Sequence, residues 1–145
     1  GSYIDLDSFV VDPPVITAGT HDDTSSLIQY GGSWTLGTGA GGASGAYNQT
    51  LHWSKDPNAF VVVNYCGTKL TIYFTRAPNR GNANRVNNGT VSSQINMYNS
   101  AIQWQVHLSM SHGYECRSFH MSVSMDKSSS SSDYYIDIDK VVITP

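Results

Sequence analysis

Tyr135-Ile136-Asp137-Ile138-Asp139-Lys140-Val141-Val142-Ile143, nine residues close to the C-terminus, read as one β-strand. β-Branched residues dominate it, and polar groups alternate at its start, as in a strand half-buried in a sheet. The phrase recurs as Tyr3-Ile4-Asp5-Leu6-Asp7-Ser8-Phe9-Val10-Val11. With residues 3–13 laid over 135–145, Tyr, Ile, both Asp, one Val and Pro coincide. Such a match exceeds what alternation alone requires and points to tandem copies. Residues 1–12 are then the C-terminal strand of a preceding repeat plus linker, and 13–145 are a single β-sandwich module. Chance similarity between two strands of one sheet is the alternative. Pro13-Pro14, which neither a helix nor a central strand accepts, suits a linker.

Working back from that strand, the apolar residues alternate. Ile102, Trp104, Val106 and Leu108 share one face, and Phe119, Met121, Val123 and Met125 share another. Phe60 to Tyr65 is the most apolar run, and Lys69 to Phe74 alternates after Gly67-Thr68, which reads as a turn. Met110 to Gly113 reads as a second turn. Asn87-Asn88-Gly89 is a strong hairpin signal, because Asn and Gly accept positive φ. Tyr47 to Trp53 reads as extended, with Tyr47, Gln49, Leu51 and Trp53 on one face. Residues 37–45, GTGAGGASG, read as a flexible surface loop, and the serine run 128–132 as a solvated one. No segment has a 3.6-residue apolar period. Eight to ten short strands with regular turn signals predict an all-β protein, an antiparallel β-sandwich of jelly-roll type.

A chain of 145 residues is long enough for one domain with a real core. Only 13% of residues are charged and the formal net charge is -3, so there is no basic field for nucleic acid. No apolar stretch of about 18 residues is present, so no membrane insertion is expected. Neither a signal peptide nor an anchor motif is visible. Nine Tyr and three Trp beside many Ser, Thr, Asn and Gly suit a surface that hydrogen-bonds rather than ion-pairs. Cys66 and Cys116 fit no zinc or redox spacing. They are either a disulfide or two buried thiols. The extracellular character of the rest of the chain favours the disulfide and a secreted or cell-surface location.

Several phrases occur in a telling order: Asp22-Asp23-Thr24, Ile28-Gln29-Tyr30-Gly31-Gly32-Ser33-Trp34, Cys66-Gly67-Thr68, Pro78-Asn79-Arg80-Gly81, Val86-Asn87-Asn88-Gly89 and Tyr135 to Asp139. This order resembles the galactose-binding-domain-like jelly-roll modules repeated in bacterial surface proteins and attached to secreted glycoside hydrolases. The resemblance covers nearly all of residues 20–143. Asn88 and Asn96 stand where Asp is usual in those modules, and Cys66 replaces a common Thr. Arg85 occupies a position where a strand-forming apolar or aromatic residue is expected.

No catalytic constellation is visible. The five histidines are scattered, Glu115 is the one glutamate, and HExxH, GxSxG and a phosphate-cradling loop are absent. The chain is therefore expected not to be an enzyme. Asp137 and Asp139, two apart, should share a strand face. With Asp22 and Asp23 they are candidate oxygen ligands for a structural Ca²⁺. Families 6 and 35 of carbohydrate-binding modules resemble this in pinning their first loop to their last strand with calcium. The alternative is that these carboxylates form Asx-turns and accept backbone N–H bonds.

A lectin site needs an aromatic platform and groups that hydrogen-bond hydroxyls. The loops offer Tyr47, Trp53, Arg76, Asn79, Arg80, Tyr98, Asn99 and Tyr134, with Arg80 the best polar candidate. Trp34 and Trp104 sit in regular strand pattern and are expected to fill the core. The reading is a non-catalytic carbohydrate-binding module, with a polysaccharide or glycan and neighbouring repeats as partners. A structural spacer or adhesin repeat that contacts other protein domains is the alternative.

Overall fold

The computed structural model describes residues 15, 17–87 and 89–145. The strands are β1 (Gly19–Asp22), β2 (Gln29–Gly31), β3 (Thr35–Thr38), β4 (Thr50–Ser54), β5 (Phe60–Arg76), β6 (Asn82–Asn87), β7 (Thr90–Asn96), β8 (Gln103–Val123), β9 (Ile136–Ile138) and β10 (Lys140–Thr144). The larger sheet runs β1-β10-β5-β8-β6-β7, with β2 also paired to β5, and the smaller sheet is β3-β4-β9. All these strand pairs are antiparallel. No α-helix occurs among the described residues. The protein is an all-β antiparallel sandwich, as the alternation predicts. The expected preceding-repeat strand, residues 1–12, and the Pro13-Pro14 break lie outside the described residues.

Period-two alternation supplies the core. Val61, Val63 and Tyr65, then Leu70, Ile72 and Phe74, point inward from β5, and Phe119, Met121 and Val123 from β8. Ile136, Ile138, Val141 and Ile143 close the core from the C-terminal stretch. Each such side chain contributes about 1.5–3 kcal/mol on burial. Met125 departs from the expected pattern: β8 ends at Val123, and Met125 is exposed.

Neither Gly67-Thr68 nor Met110 to Gly113 is a turn. β5 and β8 are single strands that pair along their length, and the register shifts between Gly67 and Lys69. Gly67 is needed for close approach rather than for reversal: a Cβ there would lie 2.4 Å from the Thr144 carbonyl oxygen. The shift is a bulge, which bends the strand pair without ending it. Cys66 and Cys116 face each other just before it and are joined by a disulfide.

The stretch 135–143 is likewise not one strand. It leaves the small sheet after Ile138 and enters the large sheet at Lys140, so Asp139 is the joint between the layers. Asp137 and Asp139 are both buried and serve different partners. Residues 37–45 also differ from a flexible loop. Gly37 and Thr38 belong to β3, Gly39–Gly41 is a 3-10 turn, and Ala43 is buried with Ala46 and Leu51. Tyr47–Gln49 is a 3-10 turn with Asn48 and Gln49 at positive φ, so the extended segment begins only at Thr50.

Candidate functional site

Two tryptophans are brought together at one end of the sandwich. A Cβ on Gly37 would lie 1.9 Å from Trp53 Cζ3, and one on Gly45 would lie 2.3 Å from Trp104 Cδ1. The glycines thus let both indoles lie against the 37–45 segment, over the small cluster of Ala43, Ala46 and Leu51. Trp104 is aimed by a second bulge. Phe74 pairs with Val106 and Arg76 with Gln103, so Trp104 and Gln105 stand opposite the single residue Thr75. Gln105 has φ 53°, a left-handed conformation rarely adopted by a non-glycine residue. Trp104 therefore forms part of a surface wall instead of filling the core as its alternation suggests.

Trp53, Trp104, Tyr135 and Ile102 wall a cleft of about 320 Å³ whose polar lining includes Asn79, Arg80 and Thr75. Ile102 is 58% exposed at its rim. The Thr75 hydroxyl is buried and has no hydrogen-bond partner among the described residues. A buried hydroxyl left in this state costs about 1–3 kcal/mol unless a ligand or water meets it.

Arg80 is held from three sides. Its Nε donates to Asp137 Oδ2 at 2.5 Å and its Nη1 to Asn79 Oδ1 at 2.8 Å. Its carbonyl accepts from Ser131 Oγ at 2.7 Å. Ser131, expected in a solvated run, is buried and ties the serine loop to the Pro78-Asn79-Arg80 turn. Asp137 completes its bonding with the Thr75 amide at 2.7 Å. Burial pushes the Asp137 carboxyl up, against the pull of the Arg80 guanidinium and that amide. Arg80 is consequently a pre-oriented, charge-balanced group at the cleft, not a free cation.

A second polar cluster surrounds the Asp139 joint. The Asp23 amide donates to the Asp139 carbonyl at 3.0 Å, pinning the first loop to the last strand. Thr50 Oγ1 lies 2.6 Å from Asp23 Oδ1 and 3.2 Å from Asp22 Oδ1. His52 Nδ1 lies 2.7 Å from Asp23 Oδ2, and Tyr30 stacks on the imidazole at 4.3 Å. Asp139 Oδ1 accepts from the Tyr47 amide at 2.8 Å, while its Oδ2 is buried without a partner among the described residues. Burial raises the Asp139 carboxyl to about 6, opposed by the Tyr47 amide and Lys140 and reinforced by Asp23 and Asp137. Asp23 is raised as well, chiefly by burial, with His52 and Thr50 opposing.

Of the four aspartates proposed as calcium ligands, Asp137 is committed to Arg80 and Thr75. Asp22, Asp23 and Asp139 remain together, and no Lys or Arg bonds to any of them among the described residues. Their donor chemistry suits a hard cation. No three His, Cys, Asp or Glu side chains are arranged to hold a metal among the described residues.

The eight residues read as sugar ligands divide by location. Trp53, Asn79 and Arg80 line the cleft. Tyr98 bridges to Ala77, another cleft residue, and the Asn99 amide donates to the Ala77 carbonyl at 3.3 Å. Arg76 pairs with Gln103 beside it. Tyr47 belongs to the Asp139 cluster, where Lys140 Nζ lies 4.5 Å from its ring centre. Tyr134 packs its backbone near Gly81 and its ring under Lys127, while its neighbour Tyr135 enters the cleft. The sequence reading passed over Trp104, Tyr135 and Ile102. Their strand pattern concealed them, and no local signal shows that the covering sheet stops short.

No protein-family model matches the sequence, and no curated protein matches it. Solved structures do match. A Paenibacillus xanthan lyase aligns over 92% of this chain and 14% of its own, at 16% identity and a TM-score of 0.63. A Phanerochaete chrysosporium exo-β-1,3-galactanase crystallised with β-1,3-galactotriose aligns over 88% of this chain and 29% of its own, at 18% identity and a TM-score of 0.56. The Agl-KA catalytic domain aligns over 97% of this chain and 30% of its own, at 11% identity and a TM-score of 0.56. The chain thus spans less than a third of each of these proteins, and the likeness is one of fold.

Proposed function

We propose that this domain is a galactose-binding-domain-like module that binds carbohydrate without catalysis, in the cleft of Trp53, Trp104 and Tyr135. The buried, unpartnered Thr75 hydroxyl at that aromatic-walled cleft carries the reading. Indole and phenol faces take the apolar face of a pyranose. Thr75, Asn79 and the fixed Arg80 guanidinium meet its hydroxyls. The fold likeness to parts of a xanthan lyase and a galactanase supports a carbohydrate context. The Cys66–Cys116 disulfide supports an oxidising, extracellular setting. Calcium would be structural, and Asp22, Asp23 and Asp139 with the Thr50 hydroxyl would have to draw together from their present arrangement to hold it. It would supply positive charge to three crowded carboxylates and lock the first loop to the last strand.

The test is a glycan-array screen of the folded protein in calcium and in EDTA, repeated with Trp104→Ala and Ile102→Glu. Saturable binding to one glycan class that both substitutions weaken supports the cleft. A blank array from folded protein in both conditions overturns the reading in favour of a structural spacer.

A further inference from the structure

At the other end of β6, far along the strand from Arg80, lies a larger cavity of about 660 Å³. It opens between the tip of the β6–β7 hairpin and the part of β8 next to the disulfide. Tyr65, Phe119 and Met110 form its apolar lining, and Arg85, Arg117 and Glu115 its charged one. Its volume falls within the roughly 300–1,000 Å³ of small-molecule clefts.

The charges are unbalanced. Glu115 Oε1 accepts from Arg117 Nε at 2.5 Å, so one carboxylate is spent on one guanidinium. The Arg85 side chain has no ion pair or hydrogen bond among the described residues, although its strand position next to Met121 is half-buried. Both arginines lie close enough to the Tyr65 phenol to oppose the rise that burial causes in it. Tyr65 itself is fixed: its hydroxyl lies 2.8 Å from His112 Nε2, and His112 Nδ1 lies 2.7 Å from the Gly113 carbonyl. The disulfide holds Glu115 and Arg117, on either side of Cys116, against β5. Asn87, Ser92 and Ser118 add neutral polar groups around the opening.

We infer that this cavity is a second ligand site, for a saccharide bearing a carboxylate, with Arg85 pairing the carboxylate. With Glu115 spent on Arg117, the half-buried Arg85 leaves this cavity a positive group against the chain's formal net charge of -3. A planar carboxylate matches the guanidinium fork bidentately. The Asn and Ser groups suit ring hydroxyls, and the half-buried Met110 the carbon face of the ring. The site is independent of the tryptophan cleft and stands whether or not that cleft binds a sugar.

The experiment titrates the ¹⁵N-labelled protein with sodium glucuronate, glucose and sodium sulfate, and maps the amide and indole shifts. Glucuronate should shift the amides of residues 85–87 and 115–120 saturably, with glucose silent there and sulfate much weaker. Arg85→Gln should weaken glucuronate by about tenfold or more, the loss of one charge-assisted pair. Glu115→Gln, which frees Arg117, should tighten it. Sulfate binding as well as glucuronate, or shifts confined to the Trp53 and Trp104 indoles, would overturn the assignment. So would a folded Arg85→Gln that binds like the wild type.

Discussion

The α-carbon of Gly37 lies so close beneath the indole of Trp53 that the Cβ of any other residue would come within 1.9 Å of Cζ3. Gly37→Ala is therefore expected to push the indole off its seat. The strain should cost about 1–3 kcal/mol of stability, as overpacking does. Tryptophan fluorescence should shift, and the glycan binding proposed for the cleft should fall with it. Unchanged emission and unchanged binding would mean that Trp53 does not depend on this strand for its place.

Arg80→Ala removes the only Arg or Lys bonded, among the described residues, to a carboxylate that is fully buried. Leaving such a charge unpaired typically costs about 3–5 kcal/mol. Urea denaturation should show a loss of that order, and Asp137→Asn in the same chain should recover much of it. A loss below about 1 kcal/mol would place the pair among those of surface strength.

The Asp139 carboxyl is raised to about 6 in the folded domain. A carboxyl raised on folding binds its proton more tightly in the native state, so its stabilising effect is present below the unfolded pKa. That effect is lost as pH rises from about 4 through 6. In EDTA, the melting temperature of the wild type should fall across this window relative to Asp139→Asn. Calcium bound at the same carboxylates should reverse the difference near neutral pH. Parallel pH profiles for the two proteins would remove Asp139 as the titrating group.

Cys66 and Cys116 close a loop of 50 residues. The chain-entropy relation gives about 4 kcal/mol for such a crosslink. Replacing both with serine should lower stability by up to that amount while leaving the β5–β8 pairing intact by circular dichroism. Loss of the fold would assign the disulfide a larger share than chain entropy provides.

The fold class was legible in the sequence because side-chain alternation is local. Phe119, Met121 and Val123 face inward as their spacing requires, and β6 and β7 pair as a hairpin, with Asn87 opposite Thr90 and Gly89 at positive φ. Asn79, Arg80 and Trp53 were also legible as neighbours at one end of the fold, since each sits at a loop or a strand end, and the three line one cleft. Gly67-Thr68 and Met110 to Gly113 were misread as turns. A glycine that reverses a chain and one that admits a neighbouring carbonyl look the same until the neighbour, here Thr144, is known.

What the sequence by itself determined is that the chain is all-β and which side of each extended run is apolar, because both follow from contacts a few residues apart. Tertiary structure alone decided how much of that apolar side is covered. The small sheet has three strands, and the bulge opposite Thr75 turns Trp104 toward the Gly45 segment, leaving it half-buried beside Trp53. It also decided the role of each buried aspartate. Arg80 reaches Asp137 across 57 residues of chain, and Tyr47 reaches Asp139 across 92. No local pattern encodes such pairings. They exist because an unpaired carboxylate inside the sandwich costs more than ordering its distant partner.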